Sequence, residues 1–559
     1  VRWYTADPSA LDQLTPDGAA EEPHDSRWQV HPEGKWIMGN HPDSTPEQQQ
    51  QLEAVLKKHQ HTAFAYSLKD LPPYTGPLGP AHFELKEDKA MWQSQRQYTA
   101  DELAVGDEKV QEMLEATIIS EVPTTNRHAS AITLPMKRAA DGSWTDKRFC
   151  IDLRHVNSNT VVDKYGLPLP EQLFQRMRGS KFMTKLDMRS GFFAVQLDEE
   201  SRLQTAFWWR GKLYAFNRLP FGHVNATAIF QRRMELELQQ SGLAHCTSVF
   251  VDDVCLYSTS MEEHIQQLDQ LLTHFAKAGL RAHPAKTILA VDCLPYLGHL
   301  VTATELRPDP AKVAAMQALQ PPTNVKRLQA HLGLFNYYRS YIVGCSRIAE
   351  PLYALTKKDA VWQWGDTEQQ AYDQLKAALT TPGLALKQPN PELPYRLYTD
   401  WSCSGIAGLL NQVYPDGSEH LVACVSRSLN QSERNYAAWK GELLAAVYGI
   451  KAFRPYLLGQ QFQLITDHRA LLWLMTHKQP VGQQARWLLS LSEYQFSLVH
   501  RAGIDNPADL PSREPLACAA DWTGSRLDTG DEGCALPTVY LADGSLDPTA
   551  YSHDQLAVI

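Results

Sequence analysis

Two adjacent carboxylates, Asp252 and Asp253, interrupt an otherwise apolar stretch, and a third, Asp187, lies upstream in a matching setting. Ser248-Val249-Phe250-Val251 leads into the pair and Val254-Cys255-Leu256-Tyr257 leads out. Apolar runs flanking a two-residue polar break read as a β-hairpin with Asp252-Asp253 at its turn. That is a costly turn, because glycine or asparagine takes up positive φ more easily and adjacent like charges repel. A divalent cation would remove the cost. Asp187 closes a second apolar strand, Phe182-Met183-Thr184, within Lys185-Leu186-Asp187-Met188. If that strand lies beside the hairpin, three carboxylates converge on a pair of magnesium ions. Two such ions can activate an attacking 3′-hydroxyl and stabilise a leaving pyrophosphate, which is the layout of a polymerase palm. By itself, an Asp-Asp pair is more often a solvated turn.

The chain has 559 residues, too many for one ordinary core, so several domains are expected. Its hydrophobic content of 43% and charged content of 21% are those of globular protein. The net charge of −10 argues against nucleic acid as a partner only as an average. Arg307, Lys312, Lys326, Arg327, Arg339, Arg347, Lys357 and Lys358 fall in one stretch whose acidic residues are Asp309 and Glu350. A locally basic helical region suits a grip on a phosphate backbone. The 9 cysteines include no Cys-x-x-Cys pair, so a reducing compartment fits better than a disulfide framework or zinc ribbon. No stretch has the length of a membrane span and no secretory signal opens the chain. The first residue, Val1, suggests a fragment or a processed piece of a polyprotein.

Residues 1–84 are rich in Pro, Asp, Glu and Gln and read as a linker or lead-in, with one helix over Glu47–His59. Residues 85–300 alternate short strands with helices, a mixed α/β pattern. Glu262 to Gly279 is an amphipathic helix carrying Ile265, Leu268, Leu271, Leu272 and Phe275. Residues 301–388 are helical, with a stripe of Val325, Leu328, Leu332 and Phe335, and a further helix over Asp366–Leu379. Residues 389–515 begin with a strand at Tyr395, and residues 516–559 read as a linker.

A second acidic constellation occupies this last folded region. Leu397-Tyr398-Thr399-Asp400 and Leu464-Ile465-Thr466-Asp467 each end a strand, Glu442 sits on a helix, and Asn506-Pro507-Ala508-Asp509 follows. Each carboxylate alone is more often a cap or a surface charge. Together they can hold two metal ions that activate water against a phosphodiester.

In its ordered blocks the chain resembles the reverse transcriptase of gypsy-class long-terminal-repeat retrotransposons. The blocks are Arg148-Phe149-Cys150-Ile151-Asp152-Leu153-Arg154, Lys185 to Phe192, Leu219-Pro220-Phe221-Gly222 with Phe230-Gln231, the Asp252-Asp253 turn, and Tyr296-Leu297-Gly298-His299. The later Thr-Asp, Ser426-Arg427, Asn435-Tyr436, Glu442-Leu443-Leu444-Ala445, Thr-Asp-His and Ala-Asp blocks resemble the retroelement ribonuclease H. The resemblance spans roughly residues 85–515. It implies an α/β multidomain chain, a right-hand polymerase of fingers, palm and thumb followed by a ribonuclease H-like domain. It implies RNA-directed DNA polymerase activity with metal ligands Asp187, Asp252 and Asp253, and hybrid-specific endonuclease activity with Asp400, Glu442, Asp467 and Asp509. Two Mg2+ ions per site are implied, with Mn2+ as a substitute.

By the same resemblance Arg148 and one of Lys137 or Arg138 contact the triphosphate of an incoming dNTP. Arg154 touches the template, and Gln231 belongs to the substrate-binding set. Leu297 and Gly298 form the turn that holds the primer end. Phe192 matches a steric gate that excludes a ribose 2′-hydroxyl, although on sequence alone it fits a core position as well. His500 matches a mobile histidine of some ribonucleases H and stays outside the core set. The implied partners are an RNA template, a DNA primer and their hybrid, with a homodimer possible and no membrane. A parent polyprotein with protease and integrase is implied, in cytoplasmic virus-like particles. Departures are Phe221, where retroviral relatives carry glutamine although gypsy-class relatives commonly carry phenylalanine, Val251, where other relatives use different apolar residues, the Gly191 to Val195 stretch, and Pro511 in the last motif. The rival readings are a decayed or host-recruited copy that only binds nucleic acid, and an enzyme whose nuclease alone works. Asp528-Thr529-Gly530 spells a protease tripeptide without its apolar lead and reads as a chance turn.

Overall fold

The structure, a computed structural model, describes residues 28–31, 36–39, 41–135, 149–381, 384–402, 405–468 and 482–500. It divides into two compact units. One holds the described residues up to Leu297 together with Val301–Ala303; the other holds Gly298–Leu300 and the described residues from Thr304 onward. No described helix is long and apolar enough to cross a membrane.

The first unit is built on a six-stranded sheet. In chain order its members are β1 (Trp28–Val30), β2 (Ile37–Gly39), β3 (Phe182–Asp187), β4 (Thr247–Phe250), β5 (Asp253–Ser258) and β6 (Ile288–Val291), arranged β1-β2-β6-β3-β5-β4. The side chains of β3 alternate. Phe182, Thr184 and Leu186 share one face, and Met183, Lys185 and Asp187 share the other. The first face is covered by α3 (Met261–Ala278), whose Ile265, Leu268, Leu271, Leu272 and Phe275 are all buried. Ser260 caps its first turn by accepting from the Glu263 amide, and Gly279, at φ +78°, ends it in the left-handed conformation. The same face carries a buried polar pin. His264 of α3 hydrogen-bonds Thr184 of β3 at 2.7 Å and Ser258 of β5 at 2.9 Å. Burial pushes its imidazole pKa down to about 3, so it sits there neutral.

The described residues of the segment read as a linker belong instead to this core. β2 pairs in parallel with β6, and α1 (Pro46–His59) packs on α3. Trp36, Leu52, Leu56 and Phe64 are each at most 1% exposed. The abundant Pro, Glu and Gln conceal this because a surface helix needs only a narrow apolar stripe to dock. The helix itself begins where the pattern placed it, with Thr45 and Gln48 closing a capping box.

In the second unit, α4 (Val325–Tyr337) buries Leu328, Leu332 and Phe335, while Val325 stays partly open. α5 (Asp366–Leu379) packs Tyr372 edge-on to Phe335 at 5.6 Å between ring centroids. Lys326, Arg327, Arg339, Lys357 and Lys358 are exposed. Lys312 is not, being only 7% exposed; its helical turn lies against protein, which its charge did not announce.

The second unit also contains a five-stranded sheet. Its members are β7 (Tyr395–Trp401), β8 (Gly405–Val413), β9 (Glu419–Ser428), β10 (Gln461–Thr466) and β11 (Gln495–His500), in the order β9-β8-β7-β10-β11. The first three are antiparallel, and β10 runs parallel to both β7 and β11. α6 (Ala438–Ala452) lies on this sheet and buries Leu443, Ala446, Val447 and Ile450.

If the lead-in is part of this core, Leu56→Ala should destabilise the first unit by about 2–5 kcal/mol, the usual cost of such a cavity. Urea unfolding of the full chain measures this, and an unmoved first transition would return the segment to a linker.

Candidate active sites

The first acidic cluster is set by strand register. Asp253 of β5 lies opposite Asp187 of β3, and Phe250 of β4 opposite Asp253, so the hairpin turn is Val251-Asp252. The expected turn was Asp252-Asp253. The shift by one residue makes Asp253 a strand residue facing Asp187 and leaves Val251 to supply positive φ, at +54°. A β-branched residue there is strained, by about 1–3 kcal/mol. Gln231, on α2 (Ala226–Gln240), holds it. The Gln231 amide donates to the Val249 carbonyl at 3.1 Å and accepts from the Val251 N–H at 2.6 Å. The Met188 N–H donates to the Asp252 carbonyl at 2.8 Å and ties the end of β3 to the turn. Gly191 completes the cradle. A Cβ at that position would lie 2.5 Å from Phe230 Cζ and 3.1 Å from Asp252 Oδ1.

Asp252 Oδ1 is buried with no hydrogen-bond partner among the described residues. Burial first, and then the charges of Asp187 and Asp253, push the Asp252 carboxyl up to about 8, against a smaller opposing effect of Lys286. The Lys286 ammonium is 3.7 Å from Asp187. A desolvated carboxylate oxygen beside two further carboxylates is a donor set that suits a hard divalent cation, so the residues fit the metal expected here.

The other residues expected around this site differ in how they are placed. Phe192 lies on a 3-10 turn, Gly191–Ala194, which follows Ser190 at φ +45°. Its ring is 8% exposed and packs against Phe221 at 5.2 Å and Phe230 at 5.5 Å, while Phe221 is itself 47% exposed. Arg154 is committed to Asp152 through bonds of 2.7 and 2.6 Å, and that hydrogen bonding, with Arg96 adding to it, brings the Asp152 carboxyl down to about 2. Leu297 and Gly298 both have positive φ, 48° and 73°, and the Gly298 carbonyl accepts from the Tyr338 hydroxyl at 2.7 Å. Lys137, Arg138 and Arg148 lie outside the described residues. The parts that sequence reasoning missed are Gly191 as a spacer, Lys286, and the backbone work of Gln231. Of these only Gly191 left a signal, a small residue between Ser190 and two phenylalanines.

The second cluster joins Asp400, Glu442 and Asp467, whose ligand atoms lie within 4.8 Å of one another. β7 and β10 are parallel neighbours with Tyr398 opposite Ile465, so Asp400 and Asp467 emerge at the same end of the sheet. Glu442 reaches them because α6 sits unusually close. A Cβ on Gly441 would fall 2.3 Å from the Trp401 ring, and one on Gly449 would fall 3.1 Å from Thr399 Cγ2. Ala445 and Ala446 between them are fully buried. Asp400 is 2% and Glu442 4% exposed. Three carboxylates so gathered, two of them buried and Asp467 partly so, fit a cation better than they fit one another. His500 of β11 stands opposite Thr466, with its Nε2 3.1 Å from the Asp467 carbonyl oxygen. Asp509 lies outside the described residues.

Known proteins are similar to this chain. Residues 137–301 match the family described as reverse transcriptase (RNA-dependent DNA polymerase), and residues 390–494 match the RNase H-like domain found in reverse transcriptase. The retrovirus-related Pol polyprotein from transposon 297 of Drosophila melanogaster is 35% identical over 408 residues, 72% of this chain and 38% of that protein. The corresponding polyprotein from transposon gypsy, also of Drosophila melanogaster, is 30% identical over 422 residues, 73% of this chain and 40% of that protein. The chain thus spans about two fifths of the length of these relatives. Among solved structures, the foamy viral protease-reverse transcriptase in complex with RNA/DNA hybrid has the same fold. Its TM-score is 0.67 at 20% identity, over 82% of this chain and 61% of that one. The variant solved in complex with double-stranded DNA gives 0.70 at 20% identity, over 82% and 79%. The strand-end carboxylates, the two matched regions and the relatives agree: the chain belongs to the gypsy-like retrotransposon Pol polyproteins, of which it comprises the reverse transcriptase and the RNase H-like region.

Proposed function

We propose that this chain synthesises DNA on an RNA or DNA template and cuts the RNA strand of the resulting hybrid, at two separate sites. The observation that carries the reading is that one chain gathers two acidic clusters, each made by neighbouring strand ends. Asp187 and Asp253 face each other across β3 and β5 with Asp252 in the adjoining turn, and Asp400, Glu442 and Asp467 converge at the end of β7 and β10.

Asp187, Asp252 and Asp253 would hold Mg2+, or Mn2+ in its place, at the polymerase site. Asp400, Glu442, Asp467 and Asp509 would do so at the nuclease. When bound, paired ions supply charge stabilisation for the attacking and leaving oxygens of an in-line displacement. The protein holds the ligands rigid. The Gln231 amide fixes the turn that carries Asp252, and the β3–β5 ladder fixes Asp253 against Asp187. Phe192 would exclude a ribose 2′-hydroxyl. Lys137, Arg138 and Arg148 would meet the triphosphate, Arg154 the template, and Leu297-Gly298 the primer end. The exposed basic residues of the helical region would grip the duplex by its backbone and its A-like shape.

The partners proposed are dNTPs, RNA template, DNA primer and RNA–DNA hybrid. The chain would work as a piece of a polyprotein with protease and integrase, as a monomer or homodimer, in cytoplasmic virus-like particles. The full set of expected metal carboxylates, none replaced, speaks against a decayed copy.

Primer extension on RNA and cleavage of a labelled hybrid test the two sites separately. Asp252→Asn should lower extension by about 10²–10³-fold or more, the range for losing one preorganised electrostatic group, with hybrid cleavage retained. Asp467→Asn should do the reverse. A substitution that removes both activities, or neither, would refute two separate sites.

Gln231→Leu removes the hold on Val251 but no carboxylate. Extension should fall about 10–100-fold, as for other groups that orient metal ligands, with the midpoint for Mg2+ activation moved to higher concentration. An unchanged midpoint would mean that the hairpin holds its shape without Gln231.

Mg2+ at a hundred times its dissociation constant should stabilise the nuclease unit by about 2.7 kcal/mol, seen as a raised melting temperature. Asp400→Asn should shrink that increment, and an undiminished one would place the ion elsewhere.

A further inference from the structure

Arg218 is a buried cation that the two sites leave unexplained. It is 6% exposed, and among the described residues its side chain donates to backbone carbonyls. Its Nη1 lies 2.9 Å from the Phe193 carbonyl oxygen, 3.1 Å from that of Leu71 and 3.1 Å from that of Pro72. Desolvation accordingly lowers its pKa from the usual guanidinium value. A guanidinium never gives up its proton in practice, so this is a buried charge held by carbonyl dipoles. Removing it would leave three buried acceptors to find new donors.

The three carbonyls belong to two segments. Leu71 and Pro72 are in the lead-in, and Phe193 is on the 3-10 turn that carries Phe192. The backbone around Arg218 holds the same turn. Tyr74 N–H donates to the Ala194 carbonyl at 2.8 Å, Leu219 N–H to Val195 at 2.8 Å, and Ala81 N–H to Gln196 at 2.7 Å. The turn is therefore gripped between the lead-in and the Asn217–Leu219 segment, and Arg218 reaches across to join both grips. The Phe192 side chain is held by packing. It leans on Phe230 and on Phe221, and Phe221 is 47% exposed. On its other side the chain enters the turn through Ser190 at φ +45°, an unfavourable conformation that something must maintain.

We propose that Arg218 is a positioning residue for nucleotide selection: by clamping the Phe193 carbonyl against those of Leu71 and Pro72 it fixes how far Phe192 stands into the nucleotide site, and so sets the preference for deoxynucleotides over ribonucleotides. The proposal rests on the reading of Phe192 as the gate. It assigns a functional task to the lead-in, whose backbone is the anvil for the clamp.

The test is single-nucleotide insertion by the full chain on a primer–template in Mg2+, with kcat/KM measured for dCTP and for CTP. Arg218→Met should reduce the dCTP-to-CTP selectivity about ten- to a hundredfold, since an ångström of misplacement can cost that much. Arg218→Lys, which keeps the charge and can still reach a carbonyl, should recover part of it. A purely structural arginine would lower both rates together and leave the ratio alone. If Arg218→Met does not fold, the ratio for Arg218→Lys decides, and an unchanged ratio overturns the proposal. Phe192→Val separates the two readings. If it relaxes selectivity and the Arg218 variants do not, the gate stands and the clamp falls. If it leaves selectivity intact, the gate reading fails and the clamp with it.

Discussion

Two carboxylates placed directly across a strand pair repel one another. Asp187 and Asp253 occupy such positions on β3 and β5, and like charges directly opposite destabilise a sheet. Much of the surrounding structure reads as the means of keeping them there. The buried His264 ties the two strands from beneath, α3 covers the back of the sheet, and Gln231 locks the turn. Each is a neutral group spent on geometry. Lys286, with its ammonium 3.7 Å from Asp187, supplies part of the compensating charge.

The nuclease cluster meets the same problem with a different device. Its carboxylates come from two parallel strands and a helix, so no single ladder fixes their separation. The distance is set instead by how closely α6 can lie on β7, and that depends on Gly441, Ala445 and Gly449 having almost no side chain. The close approach of helix and strand does there what strand register does at the first site. Both are short-range packing constraints, and both bring charges together at a distance the charges alone would resist.

The sequence made much of this legible, for physical reasons that differ by element. The strands ending at Asp187, Asp400 and Asp467 were visible because short apolar runs stop at a carboxylate. The amphipathic period of α3 was strong enough to place Ile265, Leu268, Leu271, Leu272 and Phe275 on its buried face. The lead-in was misread because composition dominated the few apolar residues that dock α1 and Trp36. The hairpin frame was misread by one residue, since alternation does not distinguish a valine in the turn from a valine ending the strand. Lys312 looked like surface because charge is the only thing a lysine shows in a sequence, whereas its alkyl stem can be buried. Gln231 showed its family position but not the backbone atoms it binds, which belong to the folded hairpin alone.

The left-handed valine at position 251 has a consequence for how such a chain can change. A residue with Cβ branching at φ +54° is conformationally the wrong choice, and glycine would relieve it at once. The turn would then also be free to visit other shapes, and Asp252 with it. Stability and catalytic competence therefore pull in opposite directions at a single codon. A lineage selected for durability should drift toward glycine or asparagine there, whereas one selected for copying should keep the awkward side chain.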